Sequence, residues 1–124
     1  MTMSAGPEPV DMADRLLAAL LGPYEVAAVA RGARLGWYRA LADAGELDAA
    51  ELAERSGTDA RYAREWLEHQ AVSGYLTVDD VSAPPGQRRY SLPEAHRRVL
   101  VDELDPGYMT PLATFTAAEV RRPS

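Results

Sequence analysis

Apolar residues recur at three- and four-residue steps along the first third of the chain and predict two helices. The first spans about Asp11 to Leu21, and we expect Gly22-Pro23 to end it, because glycine caps helices and proline cannot continue one. The second spans about residues 24–44 and is apolar over more than half of its circumference. Because a domain of this size has a small interior in which to bury apolar surface, we expect part of this helix to pack against another subunit.

The middle of the chain has the pattern of two consecutive helices joined by a short turn. Asp48 and Glu51 have the spacing of a capping box at the start of a helix over residues 49–55. Asp59, or the threonine before it, can cap a longer helix that ends near Ser73. The pattern therefore predicts a helix–turn–helix.

Two short strands are predicted next, over residues 75–78 and 89–92, with a polar tip between them that contains Pro84-Pro85-Gly86. Two helices followed by a β-hairpin are the order of a winged helix–turn–helix. The sequence thus predicts a mostly α fold: a winged helix–turn–helix with two N-terminal helices and a C-terminal helical tail.

We divide the chain into four parts. Residues 1–9 are a flexible leader and residues 10–45 the N-terminal dimerisation helices. Residues 46–92 are the winged helix–turn–helix and residues 93–124 the C-terminal helical tail. The tail should contain a short helix from Pro93 to about Val101. A last helix should begin near Thr110 and carry Phe115 and Val120 on its apolar side.

Composition excludes several kinds of site. The 124 residues contain no cysteine and two histidines, so thiolate chemistry and a site with several histidines are excluded within one chain. The net charge is −6, which disfavours general attraction to phosphate backbones. The longest apolar run, Leu16–Leu21, is too short to span a bilayer, and no basic segment precedes it. We expect a soluble cytoplasmic protein with no metal and no membrane contact.

Four arginines are the candidate nucleic-acid contacts. Arg61 and Arg64 lie on the second helix of the helix–turn–helix, and Arg88 and Arg89 lie in the wing. The helix over 58–73 has a net charge of −1, whereas a helix that reads a DNA groove usually presents basic or amide side chains. We therefore interpret these arginines as part of a solvent-exposed face with salt bridges, although winged helices often bind DNA.

Aromatic side chains are the candidate contacts with a hydrophobic small molecule or a partner. We select Trp37, Tyr38 and Tyr108, while noting that aromatic residues at helical spacing usually belong to a core. Glu65 and His69 lie four residues apart on one helix face, where a surface pair is far more common than a catalytic dyad. No pattern of nucleophile, paired acids or phosphate loop occurs, so no catalytic residue is assigned.

Several segments together resemble one family. They are GARLGWYRAL from Gly32, AELAERSG from Ala50, RYAREWL from Arg61, SGYL from Ser73 and YSLP from Tyr90. The chain resembles the N-terminal winged-helix and dimerisation region of bacterial S-adenosylmethionine-dependent methyltransferases over about residues 24–115. The resemblance implies that the long N-terminal helices dimerise and cover the substrate.

The family's catalytic domain does not occur in this sequence. It needs on the order of 100–150 further residues and a glycine-rich turn, and no two of the nine glycines are separated by a single residue. No cofactor-binding residue is therefore carried over. We expect a non-catalytic homodimerising module, as a fragment or as a free-standing accessory of a separate catalytic domain or biosynthetic enzyme. The alternatives are a DNA-binding regulator and a small cofactor-free enzyme acting on a hydrophobic substrate.

Overall fold

The computed structural model describes residues 9–112 and 114 of the chain. The elements are five α-helices, a two-stranded antiparallel sheet and one 3₁₀ turn within that part of the chain. Their bounds are α1 Pro9–Arg34, α2 Trp37–Ala44, α3 Ala49–Ser56, α4 Ala60–Val72, β1 Thr77–Val78, a 3₁₀ turn Pro85–Gln87, β2 Tyr90–Ser91 and α5 Glu94–Leu100. The fold is mostly α and is a winged helix–turn–helix with helices on both sides, as the sequence predicts.

The boundary predicted between the first two helices is wrong. Helix α1 runs without a break through Gly22 and Pro23, and the chain turns instead at Gly36, which has a φ of 75°. Proline removes its own N–H from the helix ladder and crowds the carbonyl four residues earlier, but the alanines and leucines around it favour the helical state. A positive φ at residue 36 requires a conformation that glycine adopts without steric cost, so Gly36 separates α1 from α2.

The helix–turn–helix follows its local signals closely. The side chain of Asp48 accepts from the Glu51 main-chain N–H at 2.9 Å, and the Glu51 carboxylate accepts from the Asp48 N–H at 3.0 Å. This reciprocal capping box starts α3 as predicted. Asp59 caps α4 by accepting from the main-chain N–H groups of Arg61 and Tyr62. Both helices are therefore fixed by side chains next to their first turns.

The wing is shorter than the sequence suggests. Thr77 pairs with Ser91 and Val78 with Tyr90, and a separate bridge joins Leu47 to Tyr90. The bridge ties β2, the second strand of the wing, to Leu47, two residues before α3. Beyond the wing, Pro93 precedes α5 as predicted, and residues 110–112 and 114 are helical again.

One hydrophobic core joins the helices and the sheet. Its fully buried members include Trp37, Tyr38, Leu41, Leu52, Ala63, Leu67 and Tyr90. Predicted positions in the leader up to residue 8, and Phe115 and Val120 of the last helix, lie outside the described residues.

Candidate functional site

A partly polar cleft lies between α1 and α4. It encloses about 290 Å³ and is lined by Tyr24, Ala27, Ala28, Arg31, Tyr62, Glu65, Trp66 and His69. Two turns of each helix run side by side here, and the indole N–H of Trp66 at the base of the cleft donates to the Ala28 carbonyl at 2.8 Å. Helix α1 therefore covers one flank of α4, the helix that would enter a DNA groove.

The wing arginines have partners within the protein. The Arg88 guanidinium donates to the carbonyls of Ala83 and Val81, at 2.9 and 2.8 Å, and so closes the wing loop on itself. Arg89 donates to the Glu46 carboxylate at 2.8 Å and to the Glu51 carboxylate at 2.7 Å. Both arginines are half-buried in these contacts.

The pKa values around Arg89 reflect this network. Its hydrogen bonds to the carboxylates of Glu46 and Glu51 raise the pKa of the Arg89 guanidinium. The pKa of the Glu51 carboxyl is lowered, first by its hydrogen bond from the Asp48 main chain and then by Arg89. The two groups are charged at neutral pH and hold the wing against the start of α3.

The arginines of α4 are exposed, and one of them is paired along the helix. Arg61 lies 3.4 Å from the Glu65 carboxylate, in the i, i+4 arrangement of a weak surface ion pair. Arg64 is also exposed, on the same helix as Glu65 and Glu68. The four candidate DNA contacts do not form one basic surface, because the wing pair is engaged in intramolecular contacts and the α4 pair has acidic neighbours.

Trp37 and Tyr38 lie in the core, with 1% of each side chain exposed. The Trp37 indole N–H is shared between the Ser56 and Thr58 hydroxyls, at 3.0 and 3.2 Å. The Tyr38 hydroxyl donates to Gln70, and burial raises the pKa of Tyr38 well above its ordinary value. In this arrangement neither side chain reaches a surface where a ligand could contact it.

An apolar cavity of about 320 Å³ lies between α1, α5 and the residues after α5. It is lined by Val26, Val29, Tyr75, Val99, Leu100, Met109 and Leu112. The Tyr75 hydroxyl donates to the Glu25 carboxylate at 3.3 Å, and the His96 Nδ1–H donates to the Tyr75 carbonyl at 2.8 Å. Tyr108, the third aromatic candidate, is half-buried next to Met109. The size and apolar lining suit a small hydrophobic molecule.

Residues 11–21 of α1 are mostly apolar and are exposed on every side. We call residues 11–21 the leucine segment; its five large apolar side chains, Met12, Leu16, Leu17, Leu20 and Leu21, are between 48 and 60% exposed. The charged residues of the segment are exposed as well. A lone surface helix normally buries one apolar face, so this segment lacks the contact that its composition favours.

The same helix is long enough to resemble a membrane span. Asp11–Arg34 is long and apolar enough to cross a membrane by length and composition, with a mean hydropathy of 1.3 and 17% of its most apolar stretch buried. The sequence-based expectation considered only the uninterrupted apolar run from Leu16 to Leu21. Core helices of soluble proteins and signal sequences share this length and composition, which therefore assign no location.

The sequence analysis missed the structural roles of three side chains in this framework. Glu46 is the acidic partner of Arg89, Gln70 is a fully buried amide, and Tyr90 joins the wing to the core. Their partners lie between 32 and 43 residues away along the chain. Within residues 9–112, no group of three or more His, Asp or Glu side chains is placed to hold a metal ion.

The comparisons with known proteins agree with this fold. A family model described as the Rv2258c-like winged HTH domain matches residues 26–102. No curated protein matches the sequence.

Solved structures share the fold over most of this chain. A structure of PigF with SAH has a TM-score of 0.64 and 25% identity, covering 82% of this chain and 28% of its own. Human N-acetylserotonin methyltransferase in complex with SAM has a TM-score of 0.68 and 22% identity, covering 91% of this chain and 31% of its own. The mitomycin 7-O-methyltransferase MmcR has a TM-score of 0.66 and 23% identity, covering 86% of this chain and 29% of its own. This chain thus spans less than a third of each of these three chains.

Proposed function

The chain belongs to the Rv2258c-like winged helix–turn–helix domain family, and from this membership we propose that it is a non-catalytic pairing and substrate-covering module. It acts with a methyltransferase catalytic domain, either as part of a longer protein or as a separate accessory in biosynthesis. Two solved structures with the same fold carry methyltransferase names, and this chain matches less than a third of each. A cytoplasmic location is part of the proposal.

The exposed leucine segment is the observation that carries the pairing role. Complete burial of one leucine side chain contributes roughly 1.5–3 kcal/mol relative to leaving it exposed. The segment presents four leucines that are about half exposed, on a helix whose other end is anchored in the core. A second copy of the same helix would bury them, which favours a homodimer.

The apolar cavity supports the substrate-covering role. Its walls are the side chains of α1, α5 and the residues near Met109, so a bound hydrophobic molecule would contact the pairing helix and the C-terminal part together. Tyr75 and Glu25 supply one polar contact beside it. These groups can orient a substrate, and we assign the chemical step and the S-adenosylmethionine site to a separate catalytic domain.

The DNA-binding alternative has less support from the same geometry. The groove-reading helix is flanked by α1 through the Trp66–Ala28 hydrogen bond. The wing arginines hold the protein's own carbonyls and carboxylates. We therefore do not assign a regulator function.

The pairing role is tested by the mass of the chain in solution, measured by light scattering over a range of concentrations. We expect a dimer for the unaltered chain and a shift toward monomer for Leu17→Glu and Leu20→Glu. Leu104→Glu is the matched control, because Leu104 is fully exposed outside the segment and its change should leave the mass unaltered. A monomer at every concentration would remove the pairing role.

Calorimetric titration with S-adenosylmethionine tests the non-catalytic assignment. No heat of binding is expected from the chain alone. Stoichiometric binding would show that the chain carries a cofactor site of its own, and the assignment to a separate catalytic domain would then be wrong.

A further inference from the structure

Two helices present the same short pattern of side chains to the α1–α4 cleft. Helix α1 contributes residues 24, 27, 28 and 31 to its lining, and α4 contributes residues 62, 65, 66 and 69. Each set has the spacing i, i+3, i+4 and i+7, which keeps four side chains on one face of a helix. Both sets begin with a tyrosine and end with a nitrogen-bearing side chain, which is Arg31 on α1 and His69 on α4.

The two helices run in opposite directions along the cleft. The Trp66 indole is bonded to the Ala28 carbonyl near the middle of the cleft. The Tyr75 hydroxyl, beyond the end of α4, is bonded to Glu25, which lies nearer the beginning of α1. A step forward along α4 therefore corresponds to a step backward along α1.

This direction places one aromatic ring and one nitrogen-bearing group at each end of the cleft. Tyr62 lies on the side of Arg31, and His69 lies on the side of Tyr24. The Trp66 ring lies between the two ends and offers an apolar surface, because its N–H is already bonded. The Tyr24 and Tyr62 side chains are 71 and 64% exposed, so both rings are accessible to a ligand.

Arg31 gives the cleft a positive charge that nothing nearby neutralises. Its guanidinium has no ion pair or hydrogen bond with the described residues, and neither ring nitrogen of His69 has a partner among them. Glu65, the acidic residue of the lining, is 3.4 Å from Arg61 and is neutralised by it. Aromatic rings alone would attract an ammonium group, but the free guanidinium repels one and attracts an anion.

We propose that the α1–α4 cleft binds a small aromatic carboxylate. The ring of the ligand packs against Tyr62 and Trp66, and its carboxylate accepts two hydrogen bonds from Arg31, whose planar fork matches a carboxylate. A volume of about 290 Å³ is at the lower end of ligand sites and suits one or two fused rings. This site shares no lining residue with the apolar cavity near Met109. The inference goes beyond the proposed pairing and covering role and does not depend on it.

The bound carboxylate would contact α1 and α4 together. Its contacts would add to the Trp66–Ala28 hydrogen bond, which joins the same two helices. Because the cleft exists only when both helices are in place, the ligand binds the folded state and should raise the thermal midpoint as its concentration rises.

Three naphthalene probes test the chemistry of the site, because 2-naphthoate is an anion, 2-naphthamide is neutral and 2-naphthylmethylammonium is a cation. Binding is measured by NMR from the chemical shift of the Trp66 indole N–H. We expect 2-naphthoate to bind about tenfold more tightly than the amide, and the cation to bind most weakly. Equal binding of acid and amide, or a preference for the cation, would overturn the proposal. Absence of any shift with 2-naphthoate up to about 5 mM would overturn it as well.

Variants of the lining residues test the position of the site. Arg31→Gln should remove the tenfold preference for the acid and leave the affinity for the amide unchanged. Arg34→Gln is the matched control, because it removes the same charge from an exposed arginine of α1 outside the lining. An equal loss in both variants would indicate a general effect of charge and overturn the site, as would unchanged binding by Arg31→Gln.

The aromatic contact is tested at Tyr62, whose exposure allows substitution without loss of the core. Tyr62→Ala should weaken the binding of both the acid and the amide, whereas Tyr62→Phe keeps the ring and should bind both as the unaltered chain does. Thermal midpoints without ligand show that each variant is folded. Unchanged binding by Tyr62→Ala would place the ligand elsewhere and overturn the proposal.

Discussion

The indole N–H of Trp66 donates to the main-chain carbonyl of Ala28 across a distance of 2.8 Å. The bond joins the second helix of the helix–turn–helix to the N-terminal helix, 38 residues earlier in the chain. One helical turn beyond Ala28, Gly32 faces the same indole and the ring of Tyr38. These contacts fix the angle at which α1 leaves the domain, and with it the position of the leucine segment.

Substitution of Gly32 by alanine should destabilise the domain. The added Cβ would overlap Cζ2 of Trp66 and stand 2.8 Å from Cε2 of Tyr38, both of them rigid buried rings. We expect a loss of about 1–3 kcal/mol of unfolding free energy from overpacking, measured by urea denaturation. Gly86→Ala is the control, because a Cβ there meets nothing within 4 Å. Equal stability of the two variants would contradict the close crossing.

The buried pair of Tyr38 and Gln70 should show strong coupling. Tyr38→Phe removes the donor to the Gln70 side-chain oxygen, whose amide nitrogen already lacks a partner within the described residues. We expect this change to cost about 1–3 kcal/mol, because a buried amide is left unsatisfied. The double variant Tyr38→Phe with Gln70→Leu should cost less than the sum of the single changes. Additive losses in a urea-denaturation cycle would show that the hydrogen bond has no energetic role.

Stability should fall in acid through the capping box of α3. The pKa of Glu51 is lowered below its ordinary value of 4.5 by the Asp48 main-chain N–H and by Arg89. A carboxyl with a depressed folded-state pKa adds stability above its unfolded pKa and loses it as the pH falls through the folded value. The urea midpoint should therefore decline below about pH 4.5, and the decline should be shallower in Glu51→Gln. Identical pH profiles would remove Glu51 as a cause.

The wing arginines should matter for stability and not for DNA binding. Arg89→Met removes the contacts with Glu46 and Glu51, so we expect a lower thermal midpoint. Fluorescence anisotropy with a duplex at low salt should show no binding by the unaltered chain, because its net charge is −6. Arg61→Met is a comparison variant, since its ion pair is largely exposed and should change the midpoint little. Salt-dependent DNA binding that disappears in Arg89→Met would instead support the regulator alternative.

The sequence by itself determined the elements whose signals lie within a few residues of each other. Asp48 and Glu51 cap α3 from three residues apart, and Asp59 caps α4. The hairpin and the start of α5 after Pro93 were likewise predictable from turn residues. Helices and turns of this kind are decided by neighbouring main-chain groups, so the order of a winged helix–turn–helix could be inferred without a structure.

Tertiary structure decided that α1 continues past Gly22-Pro23 and which side chains are available at the surface. Gly22-Pro23 has the local pattern of a helix end, yet the helix continues to Arg34 and is held there by the distant ring of Trp66. Trp37 and Tyr38 are equally suited by type to a ligand site or to a core, and Ser56, Thr58 and Gln70 place them in the core. These outcomes depend on contacts between residues that are far apart in the sequence. The free energy of such contacts exceeds the local conformational preferences, and the contacts leave no periodic pattern in the sequence.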